Sequence, residues 1–412
     1  MFQKLRKYLK GDSVIWTVIF MLSIFSVLAV YSSTGTLAYR FQHGNTAYYI
    51  LKHGSFLMVG LLIIFVTHLI PYKYYSRLSQ LLLLLSVPLL GITLLFGANL
   101  NSASRWLTLP GIGLTFQTSD LAKLALIMYI ARMLSLKQDV IKDFKKAFLP
   151  IVIPVVVICM LILPANFSTA ALLFTTSVVL MFLGRISFKH LFLLFGAGII
   201  FVAVFIALVL TFGDSNNKKN NRIATWKHRI ESYMGKGEEE DDEDVGSYQV
   251  DQSKIAIVTG GILGKGPGHS TQRNFLPHPY SDFIYAIIIE EYGLIGGVVV
   301  LMLYLFILYR AGVIARSCER TFPAFLALGL SFNLVFQAII NTSVTVGLLP
   351  VTGQTLPLVS MGGSSMLFTS TSLGIILSIS RSAMKVNRKH EEEKQAGTED
   401  QDVSEGLETQ QV

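Results

Sequence analysis

The densest concentration of side chains able to do chemistry lies between residues 260 and 297, GGILGKGPGHSTQRNFLPHPYSDFIYAIIIEEYGLIGG. Glycines 260, 261, 264, 266 and 268 lead into a polar loop that ends at Asp282, and a long apolar segment then carries the adjacent carboxylates Glu290 and Glu291. A carboxylate at the mouth of a membrane segment, backed by two more inside it, is costly unless something uses or pairs it. Asp282 follows Ser281 at the start of a span and admits two readings. It could cap the helix, its charge complementing the positive end of the dipole. It could also be a general base, held ionised by that dipole and able to take a proton from a hydroxyl. Glu290 and Glu291 lie ~12 Å deeper at 1.5 Å per residue, and read first as partners for intramembrane cations or polar side chains.

Other residues offer weaker chemistry. Gly264-Lys-Gly-Pro-Gly268 would let backbone N–H groups approach an anion, but no Gly-Lys-Ser/Thr follows, so the nucleotide-binding pattern fails. A tight turn near an anionic ligand, with Lys265 and Arg273 at hand, is what that segment still allows. Asp120 and Lys123 share one helical face and read either as an internal ion pair or as an anion site. Arg105-Trp106 joins a cation to an interfacial aromatic, a common membrane-anchor pairing. Residues 347–365 hold too much Gly, Pro, Ser and Thr for a continuous helix. Irregular backbone at membrane depth is tolerated only where it lines a cavity or is buried in protein.

The elements that must position these groups follow from composition. With 412 residues, 52% of them hydrophobic and 15% charged, the chain is an all-α polytopic membrane protein, because several runs of about 20 apolar residues fit a bilayer core. Apolar windows predict ten spans, at 14–34, 50–70, 78–97, 119–135, 148–163, 167–184, 189–212, 282–309, 321–342 and 363–381. The net charge of +8 falls mainly in short connections (Lys73 and Arg77; Arg132, Lys137, Lys142, Lys145 and Lys146; Arg185 and Lys189; Arg310, Arg316 and Arg320). It reads as a topology signal and not as a nucleic-acid surface. The positive-inside rule makes those connections and both termini cytoplasmic, and turns the loops 35–49, 98–118, 213–281 and 343–362 outward. Residues 1–13 form a short cytoplasmic start, 14–384 the membrane domain, 213–281 a large extracytoplasmic loop between the seventh and eighth spans, and 385–412 a polar, disordered tail. Within the large loop, 216–229 is basic, 238–244 is an acidic solvated run, and order returns from Tyr248 as a short re-entrant helix. Cys159 and Cys318 are too few and too separate for a disulfide framework or a Cys-based metal site.

Several of these stretches, in this order, closely resemble the SEDS family of cell-wall polymerases, to which FtsW, RodA and SpoVE belong. They are Ser104-Arg-Trp106, Gln117-Thr-Ser-Asp-Leu-Ala-Lys123, Gln252-Ser-Lys-Ile-Ala-Ile257, Gly260-Gly-Ile-Leu-Gly-Lys-Gly266, Leu276-Pro…Ser281-Asp-Phe-Ile284, Glu290-Glu-x-Gly-Leu-Ile-Gly296 and Gly347-Leu-Leu-Pro-Val-Thr-Gly353 with Gly362-Gly-Ser-Ser365. The resemblance implies a peptidoglycan glycosyltransferase that polymerises lipid II at the outer face of the bacterial plasma membrane. The family's catalytic aspartate falls on Asp282. A class B penicillin-binding protein transpeptidase and other division proteins are the implied partners, because the wording around Gly353-Gln-Thr-Leu-Pro357 is closer to the division-type branch. Arg105, Trp106, Asp120, Lys123, Gln252, Lys265, Arg273, Ser281, Glu290 and Glu291 become candidate substrate-binding residues, the four cations among them facing the pyrophosphates. No cofactor is assigned; a divalent cation, Mg²⁺ or Mn²⁺, could share the charge, although no His/Asp cluster with ligand spacing is present. This chain departs from the family with His278, Tyr280 and Ser281 where Glu, His and Thr are usual, with Asp120 for a Glu, with Met361 for a Tyr, and with Asn166 in place of a carboxylate. A flippase of lipid-linked precursor and a non-catalytic scaffold for a transpeptidase are the rival functions.

Overall fold

The structure is a computed structural model that describes residues 9–35, 37, 45–100, 103–108, 115–212 and 245–408, with side chains except at 98–105, 108, 212, 245–247 and 387–408. Its helices are α1 (Ser13–Ser33), α2 (Thr46–Leu69), α3 (Tyr72–Phe96), α4 (Thr118–Leu136), α5 (Leu149–Ile162), α6 (Phe167–Leu183), α7 (Phe188–Phe212), α8 (Val245–Gly260), α9 (Ile284–Arg316), α10 (Thr321–Thr345) and α11 (Gly363–Glu408). All but α8 coincide with the ten expected spans. Among the described residues, eight helical segments are long and apolar enough to cross a membrane. Of the others, α6 has 17 residues, and α4 carries Asp120, Lys123 and Arg132 because it runs through the protein interior, where nearly its whole length is buried.

Burial sorts the bundle into inside and outside. Of the apolar windows, 72% of α11 and 61% of α10 are buried within the protein, against 6% of α7. The last two helices are therefore core and α7 is a lipid-facing rim helix, as its unbroken run of Phe, Leu, Ile and Val requires. Neighbours pack as α2 on α11, α9 on α10, α3 on α4, and α10 on α4 and α6.

At the end carrying the basic connections, charged side chains close the bundle. Asp12 caps α1 by accepting from Val14 N at 2.9 Å and Ile15 N at 3.1 Å. It also accepts from Arg310 Nε at 2.9 Å and from a second guanidinium nitrogen, which fastens α1 to α9. Arg381 donates to Leu69 O at 2.9 Å and ties α11 to the end of α2.

Three expectations change. The connection 98–118, expected as an outer loop, contains a three-stranded antiparallel sheet, β1 (Ala98–Leu100), β2 (Ala103–Thr108) and β3 (Thr115–Gln117), in which Trp106 pairs with Ala98 and Gln117; pairing satisfies backbone groups that a bare loop would leave to water. The polar tail expected to be disordered from residue 385 continues the α11 backbone to Glu408, since Glu, Lys, Gln, Ala and Arg are strong helix formers whatever their polarity. Helix α8 starts at Val245, a little before the re-entrant helix expected from Tyr248. The basic piece 216–229 and the acidic run 238–244 lie outside the described residues.

Candidate active site

Asp282 ends the connection from α8 to α9, after a stretch kept out of helical conformation by Pro277 and Pro279. Helix α9 begins at Ile284, and its N-cap position is Phe283, which makes no side-chain cap bond. Asp282 thus lies one residue before the cap, and the capping reading of this residue is corrected. Its carboxylate is half-buried at the positive end of α9 and accepts from Ser281 Oγ at 2.8 Å. Beside it, burial first, then the neighbouring Tyr49 and the Asp282 charge, hold the Tyr280 phenol above the usual tyrosine range. Tyr280 is therefore a neutral O–H near the carboxylate, and its oxygen lies 3.3 Å from His278 Nδ1.

Asp282 rests on the irregular segment that precedes α11. Four carbonyls of that segment accept from buried or half-buried side chains on three different helices: Gln354 O from Asn341 at 2.7 Å, Thr355 O from Gln337 at 2.9 Å, Pro357 O from the Tyr304 hydroxyl, and Val359 O from Ser26 at 2.9 Å. This is how non-helical backbone survives at membrane depth. Ser26 donates to Val359, so its oxygen accepts from His53 Nε2 at 2.8 Å, which assigns the proton of that imidazole to Nε2.

One turn along α10 from Gln337, the same face borders a small cleft in which Asp120, Lys123, Asn333, Gln337, Ser365 and Thr369 face apolar neighbours such as Leu330 and Phe368. Lys123 Nζ is 2.7 Å from Asp120 Oδ1 and both side chains are buried. Asp120 Oδ2 and Asn333 Oδ1 are buried without a hydrogen-bond partner among the described residues. Lone acceptors at a polar cleft cost free energy until a donor fills it, which suits a ligand rich in hydroxyl or amide groups.

Glu290 and Glu291 serve a different purpose. Glu290 Oε1 accepts from Lys265 Nζ at 2.6 Å, Thr271 Oγ1 at 2.8 Å and Thr271 N at 3.1 Å, and Oε2 accepts from Ser270 Oγ and from Gln272 N at 3.2 Å. Glu291 accepts from the Ser32 hydroxyl and from Ser270 N at 3.3 Å, while Arg273 donates to Ser32 O at 3.1 Å. The glycine-rich turn completes the assembly. Helix α9 breaks at Gly293 (φ 71°, ψ −177°), and the backbone groups freed there are taken up by the turn: Lys265 N to Glu290 O and Gly266 N to Glu291 O, both 2.9 Å, and Leu294 N to Gly261 O, 2.9 Å. A Cβ on Gly293 would lie 2.0 Å from Ile262 O, and one on Gly264 2.2 Å from Glu291 O. The glycines are thus explained by close backbone approach to α9. Lys265 and Arg273, expected to face substrate phosphates, are engaged by this cluster.

The candidate residues accordingly fall into separate groups. Asp282 and Ser281 share one loop; Asp120 and Lys123 border the cleft; Lys265, Arg273, Glu290 and Glu291 build the brace; Gln252 is half-buried on α8 and Trp106 half-buried on β2. Arg105 belongs to β2, and its side chain lies outside the described residues. Among the described residues no group of three or more His, Cys, Asp and Glu side chains is placed to hold a metal ion. Sequence reading missed Asn333, Gln337 and Asn341. Their spacing of four puts three amides on one face of an apolar helix, a signal that an averaged hydropathy window hides.

Comparison with known proteins places this geometry. The pattern of the FtsW/RodA/SpoVE family, described as cell cycle protein, matches residues 12–385. A probable peptidoglycan glycosyltransferase FtsW of Trichlorobacter lovleyi is 33% identical over 373 residues, covering 90% of this chain and 93% of the relative. One of Idiomarina loihiensis is 30% identical over 383 residues, covering 92% and 89%. Among solved structures, the rod shape determining protein RodA of Thermus thermophilus superposes with TM-score 0.60 at 24% identity, over 90% of this chain and 97% of that one. A chain of a peptidoglycan synthase complex superposes with TM-score 0.65 at 24% identity, over 90% and 98%. These last two speak for the shared fold.

Proposed function

The chain belongs to the FtsW/RodA/SpoVE family of cell cycle proteins, and from that membership we propose a peptidoglycan glycosyltransferase that polymerises lipid II, with Asp282 as general base. The observation that carries the assignment of the base is the seat of Asp282: a half-buried carboxylate before the first turn of α9, fixed through its backbone and next to a neutral phenol. Asp282 takes the proton of the acceptor sugar's 4-hydroxyl. That oxygen bonds to the anomeric carbon of the growing chain, the anomeric C–O bond to the pyrophosphate breaks, and undecaprenyl pyrophosphate leaves with the electron pair. One carboxylate activating the nucleophile is the arrangement of inverting glycosyl transfer. Charge grows on the departing pyrophosphate and calls for cations nearby; Lys123 at the cleft and Arg105 on β2 are assigned that role, with Trp106, Asp120, Gln252 and Ser281 contributing to the substrate site.

Synthesis at the division site, beside a class B penicillin-binding protein, is part of this proposal, and the relatives' names and the peptidoglycan synthase complex that shares the fold support it. The broken α9 with its carboxylates would also suit a transporter. Glu290, however, is held by Lys265, Ser270, Thr271 and Gln272, which leaves it little freedom to carry a proton or an ion. Purified protein in liposomes with lipid II should yield glycan strands; movement of lipid II between leaflets with no polymer would establish the transporter instead.

The basic connections, read by the positive-inside rule, support an extracytoplasmic Asp282. A cysteine placed at Ser215, in a chain whose Cys159 and Cys318 are replaced by Ser, should react with an impermeant thiol reagent added to intact cells. Labelling only after permeabilisation would invert the topology and remove Asp282 from its substrate.

A further inference from the structure

Three consecutive carbonyls at the end of the α8–α9 connection each accept a hydrogen bond from one place. Tyr280 O accepts from Met361 N at 2.9 Å, Ser281 O from Ser360 Oγ at 2.6 Å, and Asp282 O from Asn341 Nδ2 at 2.7 Å. Asn341 is 1% exposed, and its amide nitrogen also donates to Gln354 O at 2.7 Å, so it binds the Asp282 backbone and the 351–361 segment together. Ser360 does the same in a second place, because its oxygen accepts from Leu356 N at 2.8 Å while donating to Ser281. The segment is itself anchored on Ser26, Tyr304 and Gln337, and Gln354 Nε2 donates to Thr169 Oγ1 of α6 at 2.7 Å.

We infer that Asn341 and Ser360 are positioning residues for Asp282. The inference rests on the reading of Asp282 as general base and deepens it. A carboxylate on a connection before a helix has a backbone free to rotate about φ and ψ unless its carbonyl groups are held. Here the residue's own carbonyl and the two before it are held by groups buried in the bundle. These contacts aim the carboxylate without touching substrate. Their loss lowers the rate of proton transfer, while substrate binding at the cleft, built from α4, α10 and α11, is left in place.

The isosteric change Asn341→Asp removes both N–H donors and sets carboxylate oxygens against the Asp282 and Gln354 carbonyls. Ser360→Ala removes one donor and is the milder variant. Both would be assayed as full-length protein, with correctly folded material isolated by size-exclusion chromatography, under conditions in which the wild-type chain polymerises lipid II. Asn341→Asp should lower kcat about 10²-fold, the scale of a small misplacement of a reacting group, and Ser360→Ala about tenfold, each with KM for lipid II within about twofold of wild type. A structural role alone would reduce the yield of folded protein and leave the kcat of the folded fraction unchanged, and that result would overturn the inference. Should Asn341→Asp not fold, Ser360→Ala decides by the same criterion. Asp282→Asn measured alongside separates the levels: activity there would remove the general base itself, whereas an inactive Asp282→Asn beside fully active Asn341 and Ser360 variants would remove the positioning role only.

Discussion

Glu290→Gln should unfold several degrees below the wild-type protein, although the two side chains have nearly the same shape. All five hydrogen bonds to the Glu290 carboxylate come from donors, namely Lys265 Nζ, the Ser270 and Thr271 hydroxyls, and the amides of Thr271 and Gln272. An amide in its place turns one acceptor into an NH₂ that faces donors. It also leaves the Lys265 ammonium without its counter-charge against a group that is fully buried. Breaking a buried pair from one side costs about 3–5 kcal/mol. Lys265→Met in the same chain should recover part of that loss, since the double variant no longer holds an unpaired cation. The fraction that remains folded at low temperature should polymerise lipid II with wild-type kcat, because both carboxylate oxygens of Glu290 are taken up in bracing the glycine-rich turn. Thermal unfolding in detergent, with activity normalised to folded protein, checks both halves: normal stability with lost kcat would make Glu290 a catalytic group.

How the sequence foretold some of this and not the rest has physical reasons. Eight of the ten spans are legible because each is a long apolar run, which nothing but a bilayer or a protein core accommodates. Asp282 is legible as a carboxylate at a span boundary and, through its flanking Leu-Pro and Phe-Ile, as the family aspartate. Its relation to the helix start is not, because the cap position depends on the backbone angles of Phe283 (φ −110°, ψ 17°), which neighbouring residues do not dictate. The glycines at 260–268 suggest anion binding locally, whereas their partner, the break at Gly293, lies some thirty residues away and supplies the carbonyls that the N–H groups of Lys265 and Gly266 satisfy. The sheet over 98–117 is hidden for a similar reason: its strands run three to six residues, too few to establish a period of two. The 351–361 segment is legible as irregular, but the side chains that satisfy it are single polar residues scattered over α1, α9 and α10.

Asp282→Asn should fold, insert and take up lipid II while making almost no glycan. Asn keeps the shape and an oxygen acceptor for Ser281 Oγ, and the bonds that fix this residue go to its backbone carbonyl from Asn341, so the substitution leaves the seat intact. Because Phe283 and not Asp282 occupies the N-cap position, even the usual cap loss of about 0.5–2 kcal/mol is not incurred. The neutral amide cannot accept the acceptor sugar's proton, and loss of a positioned base costs about 10²–10⁴-fold in rate. The most direct measurement is glycan formed per folded protein at saturating lipid II, for Asp282→Asn and wild type side by side, with lipid II binding measured on the same samples. Wild-type binding with polymerisation lowered at least about 10²-fold is the predicted result, and polymerisation within a few-fold of wild type would contradict it.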